Sequence, residues 1–191
     1  MHKNLIITTV TILLVTLPAQ AADITATVIR VTDGDTVQVG NQQGKIIKVR
    51  LGCIDAPELA QQPWGKQSKN RLQQLLPGVQ SVDLHSINTD KYDSLVAEVY
   101  VNNRSVNLKM VEEPMAVVYR KYLSGCNNTA NQFLQSEARG KENSLAFWHQ
   151  SHPVMLHIAR KSKYTPQQEI SKQQLCHPAY PDICFPTNVK D

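Results

Sequence analysis

The chain has 191 residues, 41% hydrophobic and 19% charged, with 20 Lys and Arg against 16 Asp and Glu and a formal net charge of +4. That length and composition fit one domain of ordinary size, alone or with a tail, and no repeat or low-complexity stretch suggests a fibrous or disordered chain. The charge is mild: it is compatible with a polyanionic partner but does not demand one.

The first 21 residues are set aside as a leader. Lys3 opens a short basic region, Leu5 to Leu17 is uncharged, and Pro18-Ala19-Gln20-Ala21 ends it with a small-x-small cleavage site. The run falls short of the ~20 apolar residues of a spanning helix, so it reads as a secretory signal, and no later stretch could cross a bilayer. Removing it takes away Lys3 and leaves 19 basic against 16 acidic residues, a net charge of +3. The expected location is periplasmic or extracellular, as a monomer.

Strand-like runs begin after the leader. Ile24 to Thr32 is rich in β-branched residues, Asp33-Gly34 is a turn, and Thr36 to Val39 continues as a second strand ended by Gly40-Asn41. Lys45 to Leu51 alternates, with Ile47, Val49 and Leu51 on one face and Lys48 and Arg50 on the other. Arg50 is therefore expected to point away from the core. From Pro63 to Gly78 the period changes, and Leu72, Leu75 and Leu76 form the stripe of an amphipathic helix stopped by Pro77-Gly78.

Strands resume at Val79 to His85, with Val79 and Val82 to Leu84 supplying apolar contacts. They continue at Leu95 to Val101, where Leu95, Ala97, Val99 and Val101 alternate with Glu98 and Tyr100. Asn102-Asn103 is a turn, Val106 to Glu113 a short helix, and about Thr129 to Asn143 a last helix with Phe133, Leu134 and Ala138 on one side. Leu145 to Trp148 then packs back. This order predicts an α+β domain, mainly a β-barrel, over residues 22–150, and a tail over 151–191 carrying the basic cluster Arg160-Lys161-Lys163.

Four cysteines follow the leader: Cys53, Cys126, Cys176 and Cys184. In an oxidising compartment they suggest two disulfides with three possible connectivities. Proximity favours Cys176 with Cys184, and elimination then leaves Cys53 with Cys126. Zinc is the rival reading, since His177 follows Cys176, but no paired metal-ligand spacing accompanies it.

The chemistry concentrates in Asp33-Gly34-Asp35-Thr36 and Arg50-Leu51-Gly52-Cys53-Ile54-Asp55-Ala56-Pro57-Glu58. Asp35 and Asp55 can hold a hard cation such as calcium, Glu58 can take a proton from water, and Arg50 can fork two hydrogen bonds to a phosphate. Singly, each acid reads as well as a turn or cap residue. Together they form a phosphodiester-cleaving inventory.

These stretches, with Thr89-Asp90-Lys91-Tyr92, Val106-Asn107-Leu108, Tyr119-Arg120-Lys121-Tyr122 and Glu137-Ala138-Arg139 before Trp148, resemble the staphylococcal nuclease (thermonuclease) family from about Asp23 to Trp148. The resemblance implies a five-stranded OB barrel with about three helices. It implies calcium on Asp35, Asp55 and the backbone carbonyl of Ala56, where the type member has threonine. Glu58 becomes the general base and Arg50 the electrostatic stabiliser in hydrolysis of DNA and RNA that leaves 3′-phosphate ends. Lys91 and Tyr92 match phosphate contacts and Tyr119 a base-pocket tyrosine, while a neighbouring pocket tyrosine is Val117 here.

One departure bears on activity. The family carries a second arginine in Asp-Lys/Arg-Tyr-Gly-Arg, but this chain reads Asp90-Lys91-Tyr92-Asp93-Ser94. Losing such a donor typically costs ~3 kcal/mol of transition-state stabilisation. Lys91, Arg71, Arg104 and Arg120 are the alternative cations. The chain therefore reads as an exported calcium-dependent nuclease, with a catalytically weak or inactive nucleic-acid-binding OB module as the alternative.

Overall fold

The computed structural model describes residues 24–149. The leader, the tail and the pairing of Cys176 with Cys184 lie outside the described residues. Three strands open the fold as an antiparallel meander: β1 (Ile24–Val31), β2 (Thr36–Gly40) and β3 (Ile46–Leu51). Their alternation turns Val28, Val37, Val39, Val49 and Leu51 into the core. After the two-residue β4 (Ile54–Asp55), helix α1 (Trp64–Leu75) buries Leu72 and its following residue Leu76.

The strands β5 (Ser81–Thr89) and β6 (Leu95–Val101) form the next hairpin. β5 pairs with β1, and β6 runs parallel to β3 through Val49–Leu95, Arg50–Val96 and Leu51–Ala97. That last pairing closes five strands, β1, β2, β3, β5 and β6, into a barrel. The α+β OB-barrel expectation is met, and the three helices are joined by two 3-10 segments.

After β7 (Arg104–Ser105) come helix α2 (Val106–Glu112) and β8 (Val117–Val118). The 3-10 segment Arg120–Cys126, helix α3 (Ala130–Glu142) and the 3-10 turn Ala146–His149 complete the described chain. Phe133, Met110 and Leu72 bring the three helices onto the core formed by the barrel. The disulfide Cys53–Cys126 closes a sequence separation of 73 residues.

Three details differ from the sequence reading. Val79 is 87% exposed, because β5 starts two residues later and runs on to Thr89. In α3, Leu134 and Ala138 face solvent, and the buried side is Phe133, Ser136, Glu137 and Gly140. Polar groups lie inside that face because they have partners there. Glu98 is also buried rather than outward. Its carboxylate accepts hydrogen bonds from Ser105 Oγ at 2.7 Å and Thr129 Oγ1 at 3.0 Å. Ser105 and Thr129 are the N-cap residues of α2 and α3, so one buried carboxylate lies at two helix N-termini, where negative charge is favoured.

Candidate active site

The β2–β3 register pairs Thr36 with Arg50. Asp35, one residue before β2, therefore lies beside the C-terminal end of β3, and its carbonyl accepts the Leu51 N–H at 2.8 Å. The side chain of Asp35 is fixed as well. Thr36 Oγ1 donates to Oδ1 at 2.9 Å, and Asp33 Oδ1 accepts the Asp35 N–H at 3.0 Å. Asp33-Gly34 does make the tight connection expected of it, but the glycine is needed for a close approach. A Cβ there would lie 2.2 Å from Ser68 Oγ of α1 and 2.8 Å from the Ala56 Cβ.

Beyond Leu51 the chain turns through Gly52 and Cys53 into β4, which carries Asp55. This turn is stapled to the barrel by the buried Asn107 of α2. Asn107 donates to the carbonyls of Gly52 (2.9 Å) and Ala97 (3.2 Å) and accepts the Val99 N–H (2.9 Å). On its other side β4 pairs with β8, Asp55 opposite Val117. β8 is in turn held by Glu137 of α3, whose Oε1 accepts the Val118 N–H at 2.9 Å. Helices at a distance thus fix the carboxylate positions.

Asp35 and Asp55 are 2% and 1% exposed and share one guanidinium. Arg50 Nη2 lies 3.2 Å from Asp35 Oδ2 and 3.5 Å from Asp55 Oδ1. The arginine leaves the barrel core as expected, but it spans the two acids instead of extending into solvent. Burial, the charge of Asp35 and the charge of Glu58 push Asp55 up to about 8 against the pull of Arg50. Burial also raises Glu58 and Asp33, both of which feel Asp35. Burial works to lower Arg50, but Asp35, Asp55, Asp33 and Asp90 outweigh it and hold the guanidinium firmly protonated. Arg50 thus serves a cluster of four acids.

Glu58 begins the loop between β4 and α1. Its N–H donates to Gln61 Oε1 and its carbonyl accepts the Gln61 N–H, both at 2.8 Å. Gly65 in the first turn of α1 lies under the same peptide, and a Cβ there would come within 2.0 Å of the Glu58 carbonyl oxygen. Ala56 places its N–H 3.4 Å from Asp35 Oδ2, so its peptide lies against the acidic pair.

Among the described residues no three or more His, Cys, Asp or Glu side chains are arranged so that they alone could hold a metal ion. The two buried carboxylates make an oxygen donor set short of a full shell. A hard divalent cation that keeps several waters fits such a set.

A family sequence profile described as "Staphylococcal nuclease homologue" matches residues 48–150, from Lys48 in β3 through the last 3-10 turn. The chain belongs to the staphylococcal nuclease family. Similar proteins include an "Uncharacterized endonuclease" of Escherichia coli O157:H7, 34% identical over 76% of this chain and 91% of the relative. An "Uncharacterized endonuclease" of Haemophilus influenzae is 32% identical over 68% and 69%. A "Micrococcal nuclease" of Shigella flexneri is 33% identical over 72% and 80%.

The side on which the staphylococcal nuclease pattern would place substrate contacts differs from that pattern. Lys91 and Tyr92 lie on the β5–β6 turn, with Tyr92 69% exposed and Lys91 Nζ 4.8 Å from its ring centroid. Asp90 organises that turn by accepting the N–H groups of Tyr92 and Ser94 at 2.8 and 2.9 Å. These bonds outweigh burial and hold its carboxyl below the usual range. Ser94 is buried, and Asp93 before it has a φ of 58°. No cation reaches the site from this position.

Of the alternative cations, Arg71 and Arg120 are paired elsewhere and Arg104 lies elsewhere on the surface. Arg71 pairs with Glu113, and Arg120 Nη2 with Glu137 Oε2 at 2.8 Å. Arg104 lines a cavity of about 1030 Å³ beside α2, away from the carboxylates. Val117 is buried with Phe147 and presents no stacking surface. Tyr119 does lie at the site. Its N–H donates to the Cys53 carbonyl at 2.8 Å. Burial raises its hydroxyl's pKa, and the charges of Asp55 and Arg50 reach it.

The sequence reading gave Asp33 only a turn role and assigned none to Gln61, Gly65, Ser68, Asn107 and Glu137. A polar residue amid apolar helix positions, as at Asn107 and Glu137, was the available signal.

Proposed function

We propose that this protein is an exported calcium-dependent nuclease that hydrolyses phosphodiester bonds of DNA and RNA. The observation that carries the reading is the juxtaposition of Asp35, Arg50 and Asp55, two buried acids around one guanidinium, with Glu58 close enough for its charge to raise Asp55. A plain binding surface for a polyanion gains nothing from buried acids, which repel phosphate. The names of the relatives point the same way, and the disulfide Cys53–Cys126 fits an oxidising compartment. Among the described residues no helix is long and apolar enough to cross a membrane.

Asp35, Asp55 and the Ala56 carbonyl would hold calcium, which when bound neutralises the acids and polarises a phosphate oxygen. Glu58, raised by burial and by the neighbouring acids, is a better proton acceptor than an ordinary carboxylate. It orients water and takes its proton as oxygen attacks phosphorus. Arg50 lies between the acids and the open side of the site, where it can turn its fork to the phosphate as negative charge builds. With Ser94 in place of a second arginine, turnover is expected to be lower than in a two-arginine enzyme.

The test is release of acid-soluble nucleotides from single-stranded DNA by the oxidised mature protein, with calcium or with chelator. Calcium-dependent release giving ends that a polymerase cannot extend supports the reading and its 3′-phosphate product. Salt-sensitive DNA binding without release would instead establish a binding module.

A further inference from the structure

Resting on the nuclease reading, we propose that Tyr122 and Lys121, beside Tyr119, form a subsite that stacks an unpaired base of the strand being cut. The family's second pocket tyrosine is Val117 here, and its side chain is buried. Three residues after Tyr119, Tyr122 supplies another ring. The two centroids are 5.0 Å apart with the planes at 65°, and Tyr122 is 45% exposed. Lys121 Nζ lies 5.4 Å from the Tyr122 centroid, which places a cation beside the ring where the phosphates of a stacked strand would pass.

The position of this pair is fixed with respect to the catalytic acids. At one end, the Tyr119 N–H donates to the Cys53 carbonyl; at the other, Cys126 is bonded covalently to the same Cys53. Cys53 is two residues before Asp55. The tie is reinforced by Ile87, which lies where the β5–β6 register shifts between Ser86 and Asn88. Such a bulge re-aims a side chain. Ile87 packs so tightly on Gly125 that a Cβ there would meet its Cγ2 at 2.3 Å. Lys121 and Tyr122 are thus two exposed side chains on a short segment tied at both ends to the turn that leads into Asp55.

A ring held in this way recognises any base by its face and carries little sequence preference. Bases within a duplex are already stacked on one another, so the subsite selects unpaired strands. It adds binding without touching the reacting phosphate, so its loss raises KM and leaves kcat nearly unchanged.

The experiment measures binding of a short fluorescent single strand by anisotropy, using the oxidised full chain with Glu58→Gln to prevent cleavage. Tyr122→Ala is expected to weaken binding about tenfold and Tyr122→Phe to leave it intact. Lys121→Gln is expected to weaken it less and to reduce its salt dependence. An abasic strand of the same length should bind equally well whether Tyr122 is present or replaced by alanine. Unchanged binding in Tyr122→Ala, or an equal loss on the abasic strand, would overturn the subsite. Because cleavage is not measured, a Tyr122-dependent protein that never cuts DNA would sink only the nuclease reading, whereas an active nuclease indifferent to Tyr122 would sink only the subsite.

Discussion

Asp35 and Asp55 are almost wholly buried and supported from three elements, whereas Lys91 and Tyr92 on a turn and Lys121 and Tyr122 on a 3-10 segment have large exposed side chains. The acids depend on the β2–β3 register, on Asn107 from α2 and on Glu137 acting through β8. The exposed groups depend on a local turn around Asp90 and on a short segment tied down by a disulfide. A change among the first group must disturb the barrel. Exposed side chains such as these can change at little cost to the fold, whereas Ser94 and Val117, which stand where the family has an arginine and a tyrosine, are themselves buried.

Changes on the catalytic side should therefore be the largest. Arg50→Lys keeps a charge beside the two acids but loses the planar fork. Its kcat is expected to fall about a hundredfold or more, with KM little changed, as steady-state rates on single-stranded DNA would show. A fall confined to KM would place Arg50 on the substrate side instead.

Asn107→Ala tests the remote support. It removes the partners of the Gly52 carbonyl and the Val99 N–H, both in buried positions, at an expected loss of about 3 kcal/mol in denaturant unfolding. A loss under about 0.5 kcal/mol, the range of an ordinary surface substitution, would contradict the role assigned to this staple.

The acid pair should also set a pH dependence. Asp55 has a folded-state pKa raised from 3.8 to about 8 by burial and by the charge of Asp35. A raised carboxyl favours the folded state while protonated, so its contribution is full below 3.8 and is lost as pH rises through about 8. In calcium-free protein, Asp55→Asn is expected to raise stability at pH 8 by about 2 kcal/mol while abolishing calcium-dependent cleavage. Thermal melts should show a larger gain at pH 8 than at pH 5, because the loss accumulates from 3.8 up to about 8. For the same reason calcium activation should improve as pH approaches 8, because the cation competes with the Asp55 proton.

The smallest effect is expected from restoring the missing group. Asp93 has a left-handed φ of 58°, which glycine adopts more easily. Asp93→Gly with Ser94→Arg should raise kcat about tenfold, part of what one charged donor supplies. No gain would show that Ser94 is not where turnover is lost.

The catalytic side was the more legible one in the sequence. Alternation placed Arg50 on the face opposite Val49 and Leu51, whereas the β2–β3 register that brings Asp35 beside it emerged only with the fold. The barrel could be expected from the same short strands. What could not be read were contacts that depend on tertiary packing. Glu98 looked like an outward strand residue, yet it is buried between the N-caps of α2 and α3. In α3 the apolar residues Leu134 and Ala138 marked the wrong face, since Glu137 faces inward to serve β8. Gly34 and Gly65 looked like turn and helix residues, whereas both are needed because another segment passes too close for a side chain. The role given to Tyr122 needed the disulfide geometry and the burial of Val117 before it could be inferred.

The most direct test of the central claim, that the intact acids and Arg50 make this chain a hydrolase in spite of Ser94, is single-turnover cleavage of a labelled single strand. Wild type and Glu58→Gln would be compared with saturating calcium and with chelator. The expected result is cleavage by the wild type in calcium only, slowed at least a hundredfold in Glu58→Gln, with strand binding preserved. Equal rates for the two proteins, or cleavage that persists in chelator, would contradict it.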